Sequence, residues 1–278
     1  MSDSESAPEK GPESRRARYL IQGGIALVVV IVIVIVVLMV TTHKNAAATH
    51  PADPGASTPK NMASDGVLLT GGGGQIATVR TPAIEIGHPI PTDTSAHPDT
   101  VNIVEYIDYQ CPVCLGFEEA NLNNTAALVA AGKATLEIHP VSILDRSSQG
   151  TRYSSRAANA AACVANFDPD AFLNATAALY QYQPAEGTPG LTNSELLTVL
   201  GKADVGTAAI AKCVNNETFR DWVSQATAAV GDGEFAHVAT TPTEFAGTPT
   251  VFVNGAQYTG GVTDAAAFTA FVNAQSAG

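Results

Sequence analysis

Hydrophobic positions along this chain fall into two regimes. From Leu20 to Val40 they are continuous, with Gln22 the one strongly polar exception. Beyond Thr41 they recur in short runs whose spacing switches between the period of a strand and that of a helix. Val101-Asn102-Ile103-Val104-Glu105-Tyr106-Ile107 is rich in β-branched and aromatic residues between polar turns and predicts a buried strand. Leu115 to Ala130, rich in Leu, Ala and Glu, predicts a helix, with Pro112 suited to its first turn. Ala134 to Ile143 predicts a second core strand.

A helical block follows. Ser154 to Val164 is Ala-rich, and Asp168-Pro169 offers an N-cap and a first-turn proline for a segment reaching Tyr182. Thr192-Asn193-Ser194-Glu195 matches a capping box before Leu196-Leu197, and further helical segments run from Thr207 to Val214 and from Glu217 to Val230. Thr250 to Val253 returns to strand, Asn254-Gly255 turns the chain into Ala256-Gln257-Tyr258, and a last helix opens at Thr263 or Asp264. Val67-Leu68-Leu69 and Ile76 to Val79 predict short edge strands around Gly71-Gly72-Gly73-Gly74. That glycine run reads as a turn, because no Lys-Ser/Thr follows to make a phosphate loop. The fold class is α/β, in the order strand, helix, strand, helical block, strand, strand, helix.

The continuous apolar run is about 20 residues, enough to cross a bilayer once as a helix. A cleaved signal peptide ending near Ala46-Ala47-Ala48 is the competing reading, but the run exceeds the usual length of such a core. Arg15, Arg16 and Arg18 precede it and place the N-terminus in the cytoplasm. The expected organisation is a cytoplasmic tail over 1–18, a membrane span over 19–41, a flexible Ala-, Pro-, Ser- and Thr-rich linker over 42–65, and an extracytoplasmic domain over 66–278. Its helical insertion covers about 146–240. The net charge of −12, from 14 basic and 26 acidic residues in 278, excludes nucleic-acid binding through a basic surface.

The chemistry lies in Cys111-Pro112-Val113-Cys114, two cysteines at the seam between a strand and a helix. The first sulfur then sits at the positive end of a helix, where thiolate is favoured over thiol and Cys111 is the exposed, attacked atom. Cys114, one turn in, is its shielded partner. Cys163 and Cys213 lie in separate helices of the insertion. The simplest reading is a structural disulfide in an oxidising compartment; a second redox pair and a four-cysteine zinc site are the alternatives. The six histidines show no ligand spacing, and neither a metal nor a cofactor is implied.

With Gly247-Thr248-Pro249-Thr250-Val251-Phe252-Val253-Asn254-Gly255 before the closing hairpin, this arrangement resembles the thioredoxin fold. More narrowly, it resembles the DsbA-like thiol–disulfide oxidoreductases in a membrane-anchored form. The resemblance runs from about Val101 to the C-terminus. It rests on Glu105-Tyr106-Ile107-Asp108-Tyr109-Gln110-Cys111-Pro112-Val113-Cys114, on the helical insertion and on Thr248-Pro249. It implies that Pro249 is cis and faces the cysteines, and that the backbone of Thr248 offers an edge to an extended substrate. It also implies that Glu105 is a buried acid able to exchange a proton with Cys114. Asp108 receives no role. Val113 stands where the best-known members carry a histidine that helps stabilise the thiolate. The pKa of Cys111 is then left to the helix terminus and backbone N–H groups, and the oxidising strength stays open. Gln110, rather than tryptophan, precedes Cys111, unlike the thioredoxin-proper and cytochrome-maturation branches.

The implied activity is disulfide formation in unfolded or reduced exported proteins. Re-oxidation falls to a membrane oxidase of the DsbB or vitamin K epoxide reductase-like type. The alternatives are a reductase or isomerase kept reduced by a membrane partner, and a chaperone-like binding domain for unfolded secreted chains.

Overall fold

Chain order within the domain begins with an antiparallel hairpin, β1 (Val67–Gly72) and β2 (Gln75–Thr78), then β3 (Val101–Ile107), α1 (Pro112–Ala130) and β4 (Ala134–Pro140). The helical block comprises α2 (Tyr153–Phe167), α3 (Phe172–Gln181), α4 (Asn193–Lys202), α5 (Ala208–Asn215) and α6 (Arg220–Gly231). The chain closes with β5 (Thr250–Val253), β6 (Ala256–Gln257) and α7 (Ala265–Ser276). This is a computed structural model, and it describes residues 57–93, 97, 99–235 and 245–276. The expected tail 1–18, membrane span 19–41 and most of the expected linker lie outside the described residues. Among those described, no helix is long and apolar enough to cross a membrane.

The strands form one six-stranded sheet in the order β2-β1-β4-β3-β5-β6. Only β3 and β4 run parallel, because the long helix α1 carries the chain back across the sheet between them. β1 and β5 flank that pair antiparallel, and β6 closes the far edge against β5. Strand period sends alternate residues of β3 to opposite faces. Ile103 and Ile107 enter the main core with Phe117 and Val129 of α1. Val104 and Tyr106 join Phe252, Val141 and Val230 in a smaller cluster, where the Tyr106 ring stacks on His139 at 4.5 Å. Gly73 and Gly74 take positive φ at the β1–β2 turn, the conformation a two-residue hairpin needs.

Several boundaries differ from the expected ones. The tether expected to reach residue 65 ends earlier, because Thr58 and Met62 are buried and Asn61 Nδ2 donates to Ala165 O at 2.8 Å. Ser64 Oγ also donates to the buried Glu137 at 2.5 Å, so this polar segment satisfies a carboxylate inside the domain. β4 stops at Pro140 rather than Ile143, because its partner β3 ends at Ile107, whose carbonyl accepts the last rung from Val141 N–H at 2.8 Å. Asp168 does not cap the following helix through its side chain; its N–H closes α2, and Pro169–Ala171 forms a short 3₁₀ turn first. The capping box holds as read: Glu195 N–H donates to Thr192 Oγ1 at 3.3 Å and Thr192 N–H to Glu195 Oε2 at 2.8 Å. At the last helix the choice between Thr263 and Asp264 resolves to Asp264, whose Oδ1 accepts from Ala267 N–H at 2.9 Å.

Candidate active site

Cys111 is the N-cap residue of α1, in extended backbone (φ −75°, ψ 116°), with Pro112 in the first turn. Extended conformation at the cap turns its side chain back over the helix end, where the first N–H groups have no partner within the helix. Its Sγ accepts from Cys114 N–H at 3.4 Å and, as a thiol, donates to Thr248 O at 3.2 Å. Neither Cys111 nor Cys114 is disulfide-bonded here, so the pair is a dithiol. The expectation of an exposed first sulfur holds only in degree, because Cys111 retains 5% exposure and Cys114 none.

The two sulfurs are driven apart in acidity. Cys111 falls from 9.0 to about 6. The largest cause is the hydrogen bond from the Cys114 thiol; the Thr248 side chain and the N–H groups of Cys114 and Val113 add to it, and burial opposes it. The helix terminus expected to set this value therefore contributes, but the neighbouring thiol contributes more. Cys114 moves well above its usual range, first because it is buried, then because it donates to Cys111 and faces its charge. At neutral pH one sulfur is a nucleophile or good leaving group and the other holds its proton.

Opposite Cys111 stands Thr248-Pro249, joined by a cis peptide bond. Thr250 Oγ1 donates to Gly247 O at 2.7 Å and ties this turn to the start of β5. Val113, the dipeptide residue lacking charge, is 46% exposed beside the cysteines.

Beneath the pair lies a group of buried acids. Glu105 on β3 is buried as expected, and its carboxyl interacts with that of Glu118 of α1, one helical turn past Cys114. Burial raises Glu105 well above the carboxylate range, and the charge of Glu118 adds to that; burial lifts Glu118 to about 7. Asp108, to which the sequence assigns no role, is fully buried and accepts from Gln110 N–H at 2.8 Å, Leu144 N–H at 2.9 Å and Ser154 Oγ at 2.7 Å. Burial lifts it to about 6 against those hydrogen bonds, and the Cys111 charge raises it further. Asp108 O also accepts from Cys111 N–H at 3.0 Å, so this residue fixes the turn between strand and helix.

Sequence reasoning overlooks Glu118 and Gln183. Glu118 carried a weak signal, since four residues after Cys114 lies the same helical face. Gln183 carried none: it is 72 positions from Cys111, yet its Nε2 donates to Cys111 O at 3.0 Å.

Away from this site, Cys163 of α2 and Cys213 of α5 are joined by a disulfide, with both residues buried. Sulfurs bonded to each other supply no thiolates to a zinc ion, which removes the four-cysteine alternative. Among the described residues, no three His, Cys, Asp or Glu side chains converge as a metal-ligand set.

A family model described as Thioredoxin matches residues 96–274, and the chain belongs to that family. Among solved structures, it is similar to the reduced form of the disulfide bond oxidoreductase DsbG from Mycobacterium tuberculosis, with 32% identity over 63% of this chain and 77% of that one (TM-score 0.52). It is also similar to oxidised DsbA of the same organism, with 27% identity over 76% and 93% (TM-score 0.56). MdbA, a thiol-disulfide oxidoreductase from Actinomyces oris, shares the fold at 23% identity over 64% and 81% (TM-score 0.52). No curated protein matches the sequence. Within the thioredoxin family, the protein is a thiol–disulfide oxidoreductase of the DsbA type.

Proposed function

We propose that this protein introduces disulfides into exported proteins by dithiol–disulfide exchange at Cys111 and Cys114. The observation that carries the proposal is the acidity split between the two sulfurs. A Cys111 thiolate favoured near neutral pH stabilises the reduced pair, and a stable reduced form is what makes the disulfide form an oxidant. In the oxidised protein a substrate thiolate attacks Cys111 Sγ, the Cys111–Cys114 bond breaks, and Cys114 leaves and takes up a proton. A second substrate thiolate attacks the substrate sulfur of the mixed disulfide and releases Cys111 as thiolate. The substrate has lost two electrons, and the protein is left as the dithiol.

Thr248 O, 3.2 Å from Cys111 Sγ, lies where an extended substrate segment would pair by strand addition. The Glu105–Glu118 pair, raised in pKa and with Glu118 one turn past Cys114 on the same helix, is the source of its proton. The apolar run 19–41 behind Arg15, Arg16 and Arg18 supports a single-pass anchor with this domain outside the cytoplasm. Re-oxidation then belongs to a membrane oxidase of the DsbB or vitamin K epoxide reductase-like type.

The test is refolding of reduced ribonuclease by the oxidised protein. Activity that Cys111→Ser abolishes, with mixed disulfides trapped by Cys114→Ala, is the expected result. Activity retained in Cys111→Ser would overturn the mechanism. A Cys111–Cys114 pair found reduced at steady state in cells would overturn the oxidative direction.

A further inference from the structure

Two glutamine side chains join the cysteine turn to the helical insertion, and they run in opposite directions. Gln110, buried between Tyr109 and Cys111, sends Nε2 out to Thr188 O at 3.4 Å, while its Oε1 lies 3.4 Å from Ser154 Oγ, whose hydrogen goes to Asp108. Gln183 reaches the other way, from just beyond α3. Its single Nε2 donates to Tyr109 O at 3.1 Å and to Cys111 O at 3.0 Å, the carbonyls on either side of Gln110. An amide nitrogen carries two N–H groups, so one side chain satisfies both acceptors.

Gln183 acts from a fixed base. Its own N–H donates to Tyr180 O at 3.0 Å, and Pro184 after it disfavours helical backbone at position 183. The segment that follows is pinned at alternate carbonyls. Gln149 Nε2 donates to Gly187 O at 2.7 Å, Thr151 Oγ1 donates to Pro189 O, and Arg156 Nη1 donates to Leu191 O at 2.6 Å. The Cys111 carbonyl meanwhile accepts the first helical N–H, from Leu115 at 3.1 Å. A second donor on that carbonyl fixes the peptide plane on which the cap geometry of Cys111 depends.

We propose that Gln183 is a positioning residue for thiol–disulfide exchange: by holding the Tyr109 and Cys111 carbonyls it keeps Cys111 Sγ over the Cys114 N–H. The proposal rests on exchange at Cys111. Without Gln183 the cap loosens, the sulfur leaves its donors for part of the time, and the thiolate loses stabilisation. The reduced form loses it too, so the pair becomes a weaker oxidant.

The test compares the parent domain with Gln183→Leu, which keeps volume and removes the donors, and with Gln183→Glu, which sets carboxylate oxygens against two carbonyls. Thiolate absorbance is titrated in the reduced proteins, and each is equilibrated with glutathione. In Gln183→Leu the Cys111 transition is expected to move from about 6 toward about 7, the size of one ordinary hydrogen bond. The equilibrium constant with glutathione shifts about 3- to 10-fold toward the protein disulfide, or about 15 to 30 mV. Gln183→Glu shifts both further. Variants that fold and titrate like the parent would overturn the proposal. Loss of the folded state in both would also overturn it, assigning Gln183 to the fold rather than to the cysteine. A parent that does not exchange with glutathione would overturn exchange at Cys111 itself, and the parent arm alone reports that failure.

Discussion

Glu105 on β3 and Glu118 on α1 are both buried in the seam that carries the redox cysteines, close enough for the charge of Glu118 to raise the carboxyl of Glu105. Two buried carboxyls that feel each other's charge do not both ionise readily, so the pair retains a proton where lone carboxyls would have lost theirs. Glu105 Oε2 and Glu118 Oε1 are buried with no hydrogen-bond partner among the described residues.

Ionising Glu118 therefore costs the fold stability. Its pKa is raised from 4.5 to about 7, so stability present below about 4.5 is lost as the pH rises through about 7. Glu118→Gln removes that titration. In the reduced protein it is expected to unfold at higher urea than the parent at pH 8, by about 1–2 kcal/mol, with the gap closing toward pH 4.5. A gap that does not change with pH would contradict the pairing.

Alkylation of the reduced protein should select one sulfur. Cys111 is expected to react half-maximally near pH 6, and Cys114 only under strongly alkaline conditions, as read by peptide mass spectrometry across pH. The sign for stability follows from the same lowering. Because the folded value lies below the ordinary 9.0, the stabilisation is complete above about 9 and is lost as the pH falls through about 6. Acid thus weakens the reduced form. Equal reactivity of the two cysteines would contradict the acidity split.

Asp108→Asn is expected to act in two opposed ways. An amide keeps one acceptor oxygen but turns N–H groups toward a site that receives donors from Gln110, Leu144 and Ser154. Leaving a buried donor unsatisfied costs about 1–3 kcal/mol, which urea unfolding measures. Loss of a negative charge near Cys111 lowers that thiol further and favours the reduced pair, which glutathione equilibrium measures. A variant as stable as the parent, with an unchanged potential, would show that the carboxylate is idle.

Replacing both Cys163 and Cys213 by alanine opens a closed loop of 50 positions. On the chain-entropy account this costs about 4 kcal/mol. Exchange at Cys111 is expected to persist wherever the variant is folded, because the bond joins α2 to α5 within the insertion. Denaturant midpoints taken with Cys111 and Cys114 held in one redox state give the comparison. Exchange lost without unfolding would instead favour a relay role for the pair.

Legibility in the sequence follows locality. The cysteine pair at a strand–helix seam, the Thr192–Glu195 capping box and the Asn254-Gly255 turn are set within a few residues, and each was readable. The partner of Glu105 was not. The buried face of α1 carries Cys114, Glu118, Asn121 and Thr125 beside Phe117 and Val129, so no clean apolar stripe marks it. Composition misled at 57–65, where polar residues resemble a tether until Met62 is found in the core.

By itself, then, the sequence determined the redox chemistry and the order of the elements, because nearest-neighbour geometry and hydrophobic period act within a turn or a strand. Tertiary structure alone decided what surrounds each sulfur. Thr248 lies 137 positions from Cys111 and Gln183 lies 72, and packing brings both against it. The hydrogen bond from Cys114 lowers Cys111 while burial raises Cys114, and depth beneath a folded surface is a property no local pattern carries.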